Sequence, residues 1–269
     1  MFDANLAIEN IINGLKASNP SGKAVIGISG GKDSTVVAYL AVKAYGKENV
    51  VGVMMPNGEQ KDINDSKRVC ELLGIKSLTV NISDAYKSLT GEICVNLMKD
   101  FADGNFKNEI PSQYSTNTPA RLRMTTLYGV AAILGGRVLN TGNRSESVLG
   151  YSTLYGDSAG SYGPICDYTV SEVRQIGLAL GVPKDLVMKA PNDGMCGSTD
   201  EQNLSKQLNI PNFTYERLDH LIRREMDEVD FTVDEISRIV ELYNKMKFKI
   251  EIIQMPHPDS GMVDYFKEL

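Results

Sequence analysis

Residues 24–41, AVIGISGGKDSTVVAYLA, run from an apolar stretch through a glycine-rich turn into a second apolar stretch. This order predicts a strand, a tight loop and a helix. Gly30 and Gly31 let the backbone approach an anion closely, and the amides and dipole of the helix N-terminus favour its negative charge. The stretch therefore predicts a phosphate-binding loop between a strand and a helix.

The polar residues of this loop distinguish it from commoner phosphate-binding motifs. Ser29 and Ser34 supply hydroxyl donors, whereas the carboxylate of Asp33 needs a cation between itself and a phosphate, most simply Mg²⁺. Only three residues separate Gly27 from Gly31, and Asp33 stands where a Walker A motif has Ser or Thr. The G-x-G-x-x-G dinucleotide pattern does not fit either. A Gly/Ser turn that binds nothing is the alternative interpretation.

The composition is that of an ordinary globular protein, with 269 residues, 42% hydrophobic and 23% charged. We predict a single domain over residues 1–269. The formal net charge of −6 argues against binding to nucleic acid or to an anionic membrane surface. Neither a signal peptide nor an apolar run long enough to span a bilayer is evident, so we expect a cytoplasmic protein.

Cysteine and histidine usage argues against two further kinds of site. The cysteines are widely spaced and form no C-x-x-C pair, which excludes zinc-ribbon and iron–sulfur patterns and predicts buried thiols in a reducing compartment. They are Cys70, Cys94, Cys166 and Cys196. The two histidines, His220 and His257, are expected at the surface, which disfavours histidine-based catalysis.

Apolar segments of strand and helix character alternate along the first half of the chain. This alternation predicts an α/β fold, a doubly wound parallel sheet with helices on both faces and ligands at the carboxyl ends of the strands. The predicted strands are 23–28, 49–55, 76–81 and 137–140, and the predicted helices between them are 34–45, 62–73 and 83–101.

The remaining segments predict a helical C-terminal extension. An amphipathic helix opens the chain and ends near residue 19. Residues 103–118 are expected to be a loop, after which Thr118 caps a helix that has Pro119 in its first position and ends at Leu134. Residues 190–199 are interpreted as a mobile flap. Further predicted elements are helices at 146–149, 170–180, 215–226 and 233–246, and a loop at 151–164.

Residues 29–34, SGGKDS, closely resemble the SGGxDS signature of the N-type ATP pyrophosphatases. Three further segments, 117–123 (NTPARLR), 141–146 (TGNRSE) and 150–157 (GYSTLYGD), resemble motifs of one branch, the ammonia-dependent NAD synthetases. The resemblance continues at 189–191 and 199–201 and spans about residues 5 to 245. It implies an adenine-nucleotide α-hydrolase-like fold and a homodimer with the dinucleotide site at the interface.

The resemblance also implies the reaction. The nicotinate carboxylate of deamido-NAD attacks the α-phosphorus of ATP, pyrophosphate leaves with Mg²⁺, and ammonia converts the acyl adenylate to NAD and AMP. Positioning and charge neutralisation would carry the catalysis, so a side-chain nucleophile is not needed. The nitrogen would come from free ammonia or from a partner glutaminase.

Individual roles follow from matching positions. Asp33, Ser29 and Lys189 are the candidate catalytic residues, and Asp33 and Glu146 the candidate metal ligands. An ordinary surface lysine at 189 and a solvated glutamate at 146 remain alternatives. Arg121 and Arg123, two residues apart on a helix, are expected to point to different sides, one toward an anionic substrate. The nucleotide-binding candidates are Gly27, Ile28, Ser29, Gly30, Gly31, Lys32, Asp33, Ser34, Gln60, Thr141, Lys189, Arg121 and Asp157.

Several positions depart from the family pattern. Leu154 stands where a lysine is usual and Ser161 where an aspartate is usual, and both family positions contact deamido-NAD. Met54 replaces an adenine-side arginine, and the C-terminal His-Lys pair is missing. Two alternatives stay open: an N-type pyrophosphatase that acts on tRNA or another carboxylate or carbonyl, and a non-catalytic ATP-binding sensor of the universal-stress type.

Overall fold

The computed structural model describes residues 2–60, 63–100, 110–189, 199–225 and 227–250. Within them, strands β1 (Ala24–Gly27), β2 (Val50–Met54), β3 (Lys76–Thr79) and β4 (Arg137–Leu139) form a parallel sheet in the order β3-β2-β1-β4. Strand β1 lies between β2 and β4, so the loop that follows it opens at the centre of the sheet's carboxyl edge. The predicted doubly wound parallel sheet is confirmed.

Helices surround this sheet and extend beyond it. Short 3₁₀ turns at Lys47–Asn49 and Lys247–Lys249 supplement them. The α-helices are α1 (Ala4–Ser18), α2 (Lys32–Tyr45), α3 (Ile63–Leu73), α4 (Ser83–Asp100), α5 (Ser112–Leu134), α6 (Arg144–Leu149), α7 (Val170–Ala179), α8 (Lys184–Val187), α9 (Asp200–Leu208), α10 (Tyr215–Arg223) and α11 (Val233–Met246).

Alternating side chains of β1 build a core on each face of the sheet. Ala24 and Ile26 pack with the buried residues of α1, α2 and α7, whereas Val25 packs on the other face with Val53 and with residues of α5. Strands that are buried on both faces need helices on both sides, which accounts for the continuous apolar runs in the sequence. The prediction of helices on both faces is confirmed.

The C-terminal helices form an apolar core of their own. Leu149 of α6, Leu204 of α9, Leu218 of α10 and Ile239 of α11 are buried together in it. Asp219, beside Leu218, ties this core to the sheet side, because its carboxylate accepts hydrogen bonds from the Ser145 hydroxyl and the backbone amide of residue 171. The helical C-terminal extension is confirmed, and the single domain over 1–269 stays a prediction.

Helix α5 corrects the predicted loop at 103–118. It begins at Ser112, so Thr118 does not cap it, and Pro119 lies inside it. The residues before Pro119 are poor helix formers, which is why the sequence suggested a loop. Tertiary contacts favour the extra turns: the Tyr114 hydroxyl lies 3.0 Å from the Thr90 hydroxyl of α4, and its ring packs near Tyr86.

Other predictions of local structure had mixed outcomes. Helix α10 ends at Arg223, earlier than predicted, because Arg224 adopts the left-handed conformation. Helices α8 and α9 were not predicted.

Cys70 is buried, but Cys166 is exposed and Cys94 partly exposed, so the prediction of uniformly buried thiols is wrong. Cys196, His257 and all of the predicted flap at 190–199 except Thr199 lie outside the described residues.

His220 is partly buried on α10, where its Nδ1 lies 2.7 Å from a carboxylate oxygen of Glu225. This contact, in which the His220 side chain stays 31% exposed, agrees with the predicted place of the ring at the surface. Among the described residues, the structure contains no helix of the length and apolar character needed to cross a membrane.

Candidate active site

The predicted phosphate loop lies at the carboxyl end of β1. The Ile28 amide donates to the Val53 carbonyl at 3.0 Å, which carries the backbone one residue past the strand. Beyond it, the hydroxyls of Ser29 and Ser34 lie 3.0 Å apart, and the Gly31 amide donates to the Ser29 hydroxyl at 3.2 Å. The two serines thus hold the loop closed from within, and helix α2 starts from it.

Helix α2 begins without a capping side chain among the described residues, since its N-cap is Gly31. By contrast, Thr169, Thr199 and Thr232 cap α7, α9 and α11 in complete capping boxes. The first amides of a helix have no partner within it and need another acceptor. The start of α2 therefore offers its amides and dipole to an anion, as the sequence predicted.

Helix α3 closes one side of the loop. Gly30 has φ +79°, and a Cβ there would lie 2.9 Å from the Asp65 Cβ and 3.1 Å from the Ser66 amide nitrogen. The buried Ser66 hydroxyl, at 3.2 Å from the same point, has no hydrogen-bond partner among the described residues. Lys189 Nζ lies 2.7 Å from Asp65 Oδ2, which brings this predicted residue to the same side of the loop.

The two acidic candidates are joined by a buried asparagine. The side-chain amide of Asn143 donates to Asp33 Oδ1 at 3.2 Å, while its Oδ1 accepts from the Glu146 amide at 3.0 Å. The backbone amide of Asn143 in turn donates to Glu146 Oε2 at 3.1 Å, which completes a capping box at the start of α6. The structure therefore brings Asp33 and Glu146 to one place, as predicted.

Two acidic side chains, Asp33 and Glu146, and the ammonium of Lys32 set the electrostatics at this place. Burial, together with the nearby charge of Asp33, raises the pKa of the Glu146 carboxyl to about 8. Lys32 Nζ lies 2.8 Å from Asp33 Oδ2. Burial opposes the charged form of Lys32, but the attraction of Asp33 and Glu146 outweighs it and raises its pKa.

The described residues contain no group of three or more histidine, cysteine, aspartate or glutamate side chains able to hold a metal ion. Asp33 and Glu146 are the carboxylates that Asn143 joins here, and a metal bound to them would take further ligands from substrate or water. Magnesium is commonly held in this way, by one or two carboxylates with phosphate oxygens and water. The donor set thus fits a metal that arrives with a phosphate-bearing substrate.

The loop after α6 packs against the first half of α5. The Thr153 hydroxyl donates to the Asn117 side-chain oxygen at 3.0 Å, and Arg121 Nε donates to the Leu154 carbonyl at 3.2 Å. A Cβ on Gly156 would lie 2.9 Å from the Ala120 Cβ, so only glycine permits this approach. Two motifs that are far apart in the sequence form one surface.

Asp157 shapes this loop from within. Its Oδ1 accepts from the Thr153 amide at 2.7 Å, and its carbonyl accepts from the Asn140 side chain at 2.7 Å. Burial raises the pKa of Asp157 in spite of the Thr153 hydrogen bond. The structure thus gives the predicted ligand contact Asp157 a supporting role, and its contact with a nucleotide stays a prediction.

The two arginines of α5 diverge, as predicted. Arg123 Nε donates to the carbonyl of Met55, the residue after β2, and burial lowers the pKa of Arg123. Arg121 instead borders an open cavity of about 280 Å³ at the start of α5. The cavity is lined by Pro111, Gln113, Tyr114, Asn117, Thr118 and Arg121.

The other predicted residues lie near the strand ends. Thr141 is partly buried two residues after β4, and Gln60 is partly buried beyond β2. The backbone amide of Ser161 donates to the Val138 carbonyl at 2.8 Å, so this residue attaches its loop to β4. Met54 is buried at the end of β2.

Two side chains near the site were not predicted. Tyr215 at the start of α10 is buried, and its hydroxyl has no hydrogen-bond partner among the described residues. Burial and the neighbouring carboxylates of Glu146 and Asp200 raise the pKa of Tyr215 well above its ordinary value. Lys249 Nζ donates to the carbonyls of Gly150 and Ser152, at 2.7 Å each. No sequence signal separates either residue from other apolar or charged positions of the extension.

Comparison with known proteins settles the family. A family model described as NAD synthase matches residues 6–253. The chain belongs to the NAD synthase family. The NH(3)-dependent NAD(+) synthetase of Pyrococcus horikoshii is 36% identical over 260 residues, 93% of each chain. That of Methanocaldococcus jannaschii is 38% identical over 204 residues, 74% of this chain and 71% of the relative.

Solved structures agree with this membership of the NAD synthase family. An NMN synthetase from Francisella tularensis superposes with a TM-score of 0.79 at 28% identity and covers 95% of this chain and 99% of its own. An NH3-dependent NAD synthetase from Campylobacter jejuni, in complex with the nitrate ion, has a TM-score of 0.74 and covers 95% of this chain and 100% of its own. At 23% identity, the second likeness shows the shared fold alone.

Proposed function

We propose that this member of the NAD synthase family is an ATP-dependent amide ligase that converts deamido-NAD, ATP and ammonia to NAD, AMP and pyrophosphate. The observation that carries the proposal is the uncapped start of α2 beside Asp33 and Glu146, which Asn143 holds together. This arrangement combines donors for phosphate oxygens with carboxylates for a cation. The relatives named above support the choice over another pyrophosphatase or an ATP sensor.

The reaction proceeds in two displacements at one site. A carboxylate oxygen of deamido-NAD forms a bond to the α-phosphorus, and the bond from that phosphorus to pyrophosphate breaks. Ammonia then bonds to the acyl carbon, loses one proton, and displaces AMP. The protein orients both substrates and stabilises negative charge, so a side-chain nucleophile is not required.

The ATP phosphates would contact residues 27–34. Ser29 and the first amides of α2 donate to the departing pyrophosphate, and Lys189 adds positive charge from the side where it now pairs with Asp65. Gln60 and Thr141 contact the nucleotide from the ends of neighbouring strands. Asp33 and Glu146 would hold Mg²⁺, whose role is to neutralise charge that develops on the phosphates.

The acceptor would lie across the cavity at the start of α5. Arg121 is a cation that borders it, and Asn117, which also lines it, accepts a hydrogen bond from Thr153 of the loop that contains Asp157. Leu154 and Ser161 cannot supply charge there, so more of the recognition of the acceptor phosphates depends on Arg121. We therefore expect Arg121 to contact deamido-NAD.

Arg121→Ala tests this assignment of the acceptor site. We expect the KM for deamido-NAD to rise by about tenfold, since a lost ionic hydrogen bond costs on the order of 1.5 kcal/mol, with little change in the KM for ATP. Arg137→Ala, an exposed arginine at the start of β4, is the matched control. Equal effects of Arg121→Ala on both KM values would show that the helix only supports the site.

Nicotinate mononucleotide, which lacks the adenylate half of deamido-NAD, is the informative competing acceptor for the same assay. The Francisella neighbour is named an NMN synthetase, and Leu154 and Ser161 depart from the usual dinucleotide contacts. A higher kcat/KM with deamido-NAD supports the proposal. A higher kcat/KM with the mononucleotide would reassign the acceptor and leave the ATP chemistry intact.

A second copy of the chain is the partner that we propose for α4 and α5. These helices pack on each other and expose large apolar side chains. An exposed apolar surface of this kind is typical of a protein–protein interface. The exposed residues are Leu89, Val95 and Met98 of α4, and Tyr128, Ile133 and Leu134 of α5. We further propose that the homodimer is cytoplasmic. Its nitrogen source is free ammonia or ammonia from a partner glutaminase.

A further inference from the structure

Lys32 occupies the variable position of the SGGxDS loop, and it is a buried cation. Its side chain is 2% exposed, and its ammonium lies 2.8 Å from Asp33 Oδ2. Removing a lysine ammonium from water is costly unless a counter-charge compensates for it. The loop therefore contains a positive charge that must stay paired with the acidic residues beside it.

Both oxygens of the Asp33 carboxylate are already engaged. Oδ1 accepts from the Asn143 side chain at 3.2 Å, and Oδ2 faces the Lys32 ammonium. Glu146, whose Oε2 is held by the Asn143 amide, adds a second attraction for Lys32, while Arg174 adds a weaker repulsion. The ammonium thus pairs with the Asp33 carboxylate and favours the ionised form of Glu146.

This inference rests on the proposed metal site at Asp33 and Glu146. A divalent cation that approaches the Asp33 carboxylate finds one of the two carboxylate oxygens, Oδ2, already paired with the Lys32 ammonium. The phosphates of ATP offer that ammonium a replacement partner, because they would lie against the same turn of α2. Without phosphates, the displaced ammonium would remain buried and unpaired.

We propose that Lys32 is a positioning residue that acts as a resident cation: it holds Asp33 and Glu146 together in the nucleotide-free protein and competes with the divalent metal until phosphates arrive. Metal binding is then weak without ATP and strong with it. The contrasting view is a lysine that only stabilises the loop. That view predicts a loss of stability on substitution and no change in metal affinity.

The direct test is titration of the nucleotide-free protein with Mg²⁺ by calorimetry. Lys32→Met keeps the length of the side chain and removes its charge, and we expect its Kd for Mg²⁺ to fall about tenfold, which corresponds to about 1.4 kcal/mol. Lys43→Met, an exposed lysine on the same helix, is the control and should match the wild type. A Kd for Lys32→Met equal to or higher than that of the wild type overturns the proposal.

Thermal unfolding gives a second readout that does not depend on activity. In EDTA, Lys32→Met should melt below the wild type, because the Asp33 carboxylate loses its counter-charge, and saturating Mg²⁺ should raise its Tm more than that of the wild type. Equal Mg²⁺ shifts in the two proteins would contradict the resident-cation role. Lys32→Gln, which keeps a hydrogen-bond donor, serves in both measurements if Lys32→Met does not fold.

Asp33→Asn separates the failure of this inference from failure of the metal site itself. If Asp33→Asn binds Mg²⁺ as the wild type does, the metal lies elsewhere, and both the proposed site and the role of Lys32 are wrong. If Asp33→Asn loses the binding while Lys32→Met has the wild-type Kd, the metal site stands and only the resident-cation role is wrong.

Discussion

Asn143→Ser separates two functions that one buried side chain combines. The Asn143 oxygen caps α6 through the Glu146 amide, and its nitrogen donates to Asp33 at 3.2 Å. Serine is as good an N-cap as asparagine, but it is too short to reach Asp33. The cap is therefore kept, and a hydrogen bond to a charged group, about 1.5–3 kcal/mol, is lost.

The expected result is a selective change in metal dependence. Half of that free energy, about 0.75–1.5 kcal/mol, is assigned to the placement of Asp33 for its cation. The Mg²⁺ concentration for half-maximal pyrophosphate release then rises by about four- to twelvefold. Urea unfolding of the metal-free protein measures the cost to stability. The matched control is Thr232→Ala, which removes the cap of α11 and costs about 1 kcal/mol without touching the site.

Either of two results would refute this reasoning about Asn143. One is an Asn143→Ser enzyme with the wild-type Mg²⁺ dependence, since it would mean that Asp33 does not need the amide. The other is a Thr232→Ala enzyme with an equally raised Mg²⁺ requirement, which would trace the effect to general loss of stability.

Three further changes test the loop, the acidic pair and the dimer. Gly30→Ala, at φ +79° and against Asp65, should lower the unfolding free energy by about 1–2 kcal/mol and raise the KM for ATP. Its control, Gly91→Ala on α4, has open space around it and should raise the unfolding free energy by about 0.8 kcal/mol. Urea unfolding and steady-state kinetics check both variants. The pKa of Glu146 is raised from 4.5 to about 8, so the folded protein holds this proton more tightly than the unfolded chain does. Between pH 4.5 and 8, the unfolding free energy of the metal-free protein should therefore fall with rising pH by up to about 1.4 kcal/mol per unit, relative to that of Glu146→Gln. Equal pH profiles of the two unfolding free energies would contradict this. Ile133→Glu, at a site that is 85% exposed, should convert a dimer to a monomer by light scattering without a loss of helix content, and an unchanged mass would exclude this face as the interface.

The parallel sheet and the loop could be predicted because their signals are local. The apolar runs at β1 and β2, each followed by polar residues, reflect strands buried on both faces, and the serines and glycines at 29–34 suit a turn that leads into a helix. Helix α5 could not be placed correctly in the same way. Its first turns depend on the contact of Tyr114 with Thr90 of α4, which no local pattern reveals.

The candidate site shows the same division. Asp33, Glu146 and Arg121 were identified from motifs, and the structure brings Asp33 and Glu146 together. The role of Lys32 in pairing with Asp33 could not be read from the sequence, because the direction of a side chain at the start of a helix depends on the tertiary fold. Tyr215 was missed for a similar reason, since it belongs to a separate helical core that the fold brings near the acidic pair.

Pyrophosphate release by the purified protein, with ATP, Mg²⁺ and ammonium and with or without deamido-NAD, tests the central claim most directly. The account predicts that release requires deamido-NAD and Mg²⁺, that NAD forms in equal amount, and that Asp33→Asn abolishes both while the protein stays folded. Release at the same rate without deamido-NAD, or no NAD from a folded protein that binds ATP, would contradict it.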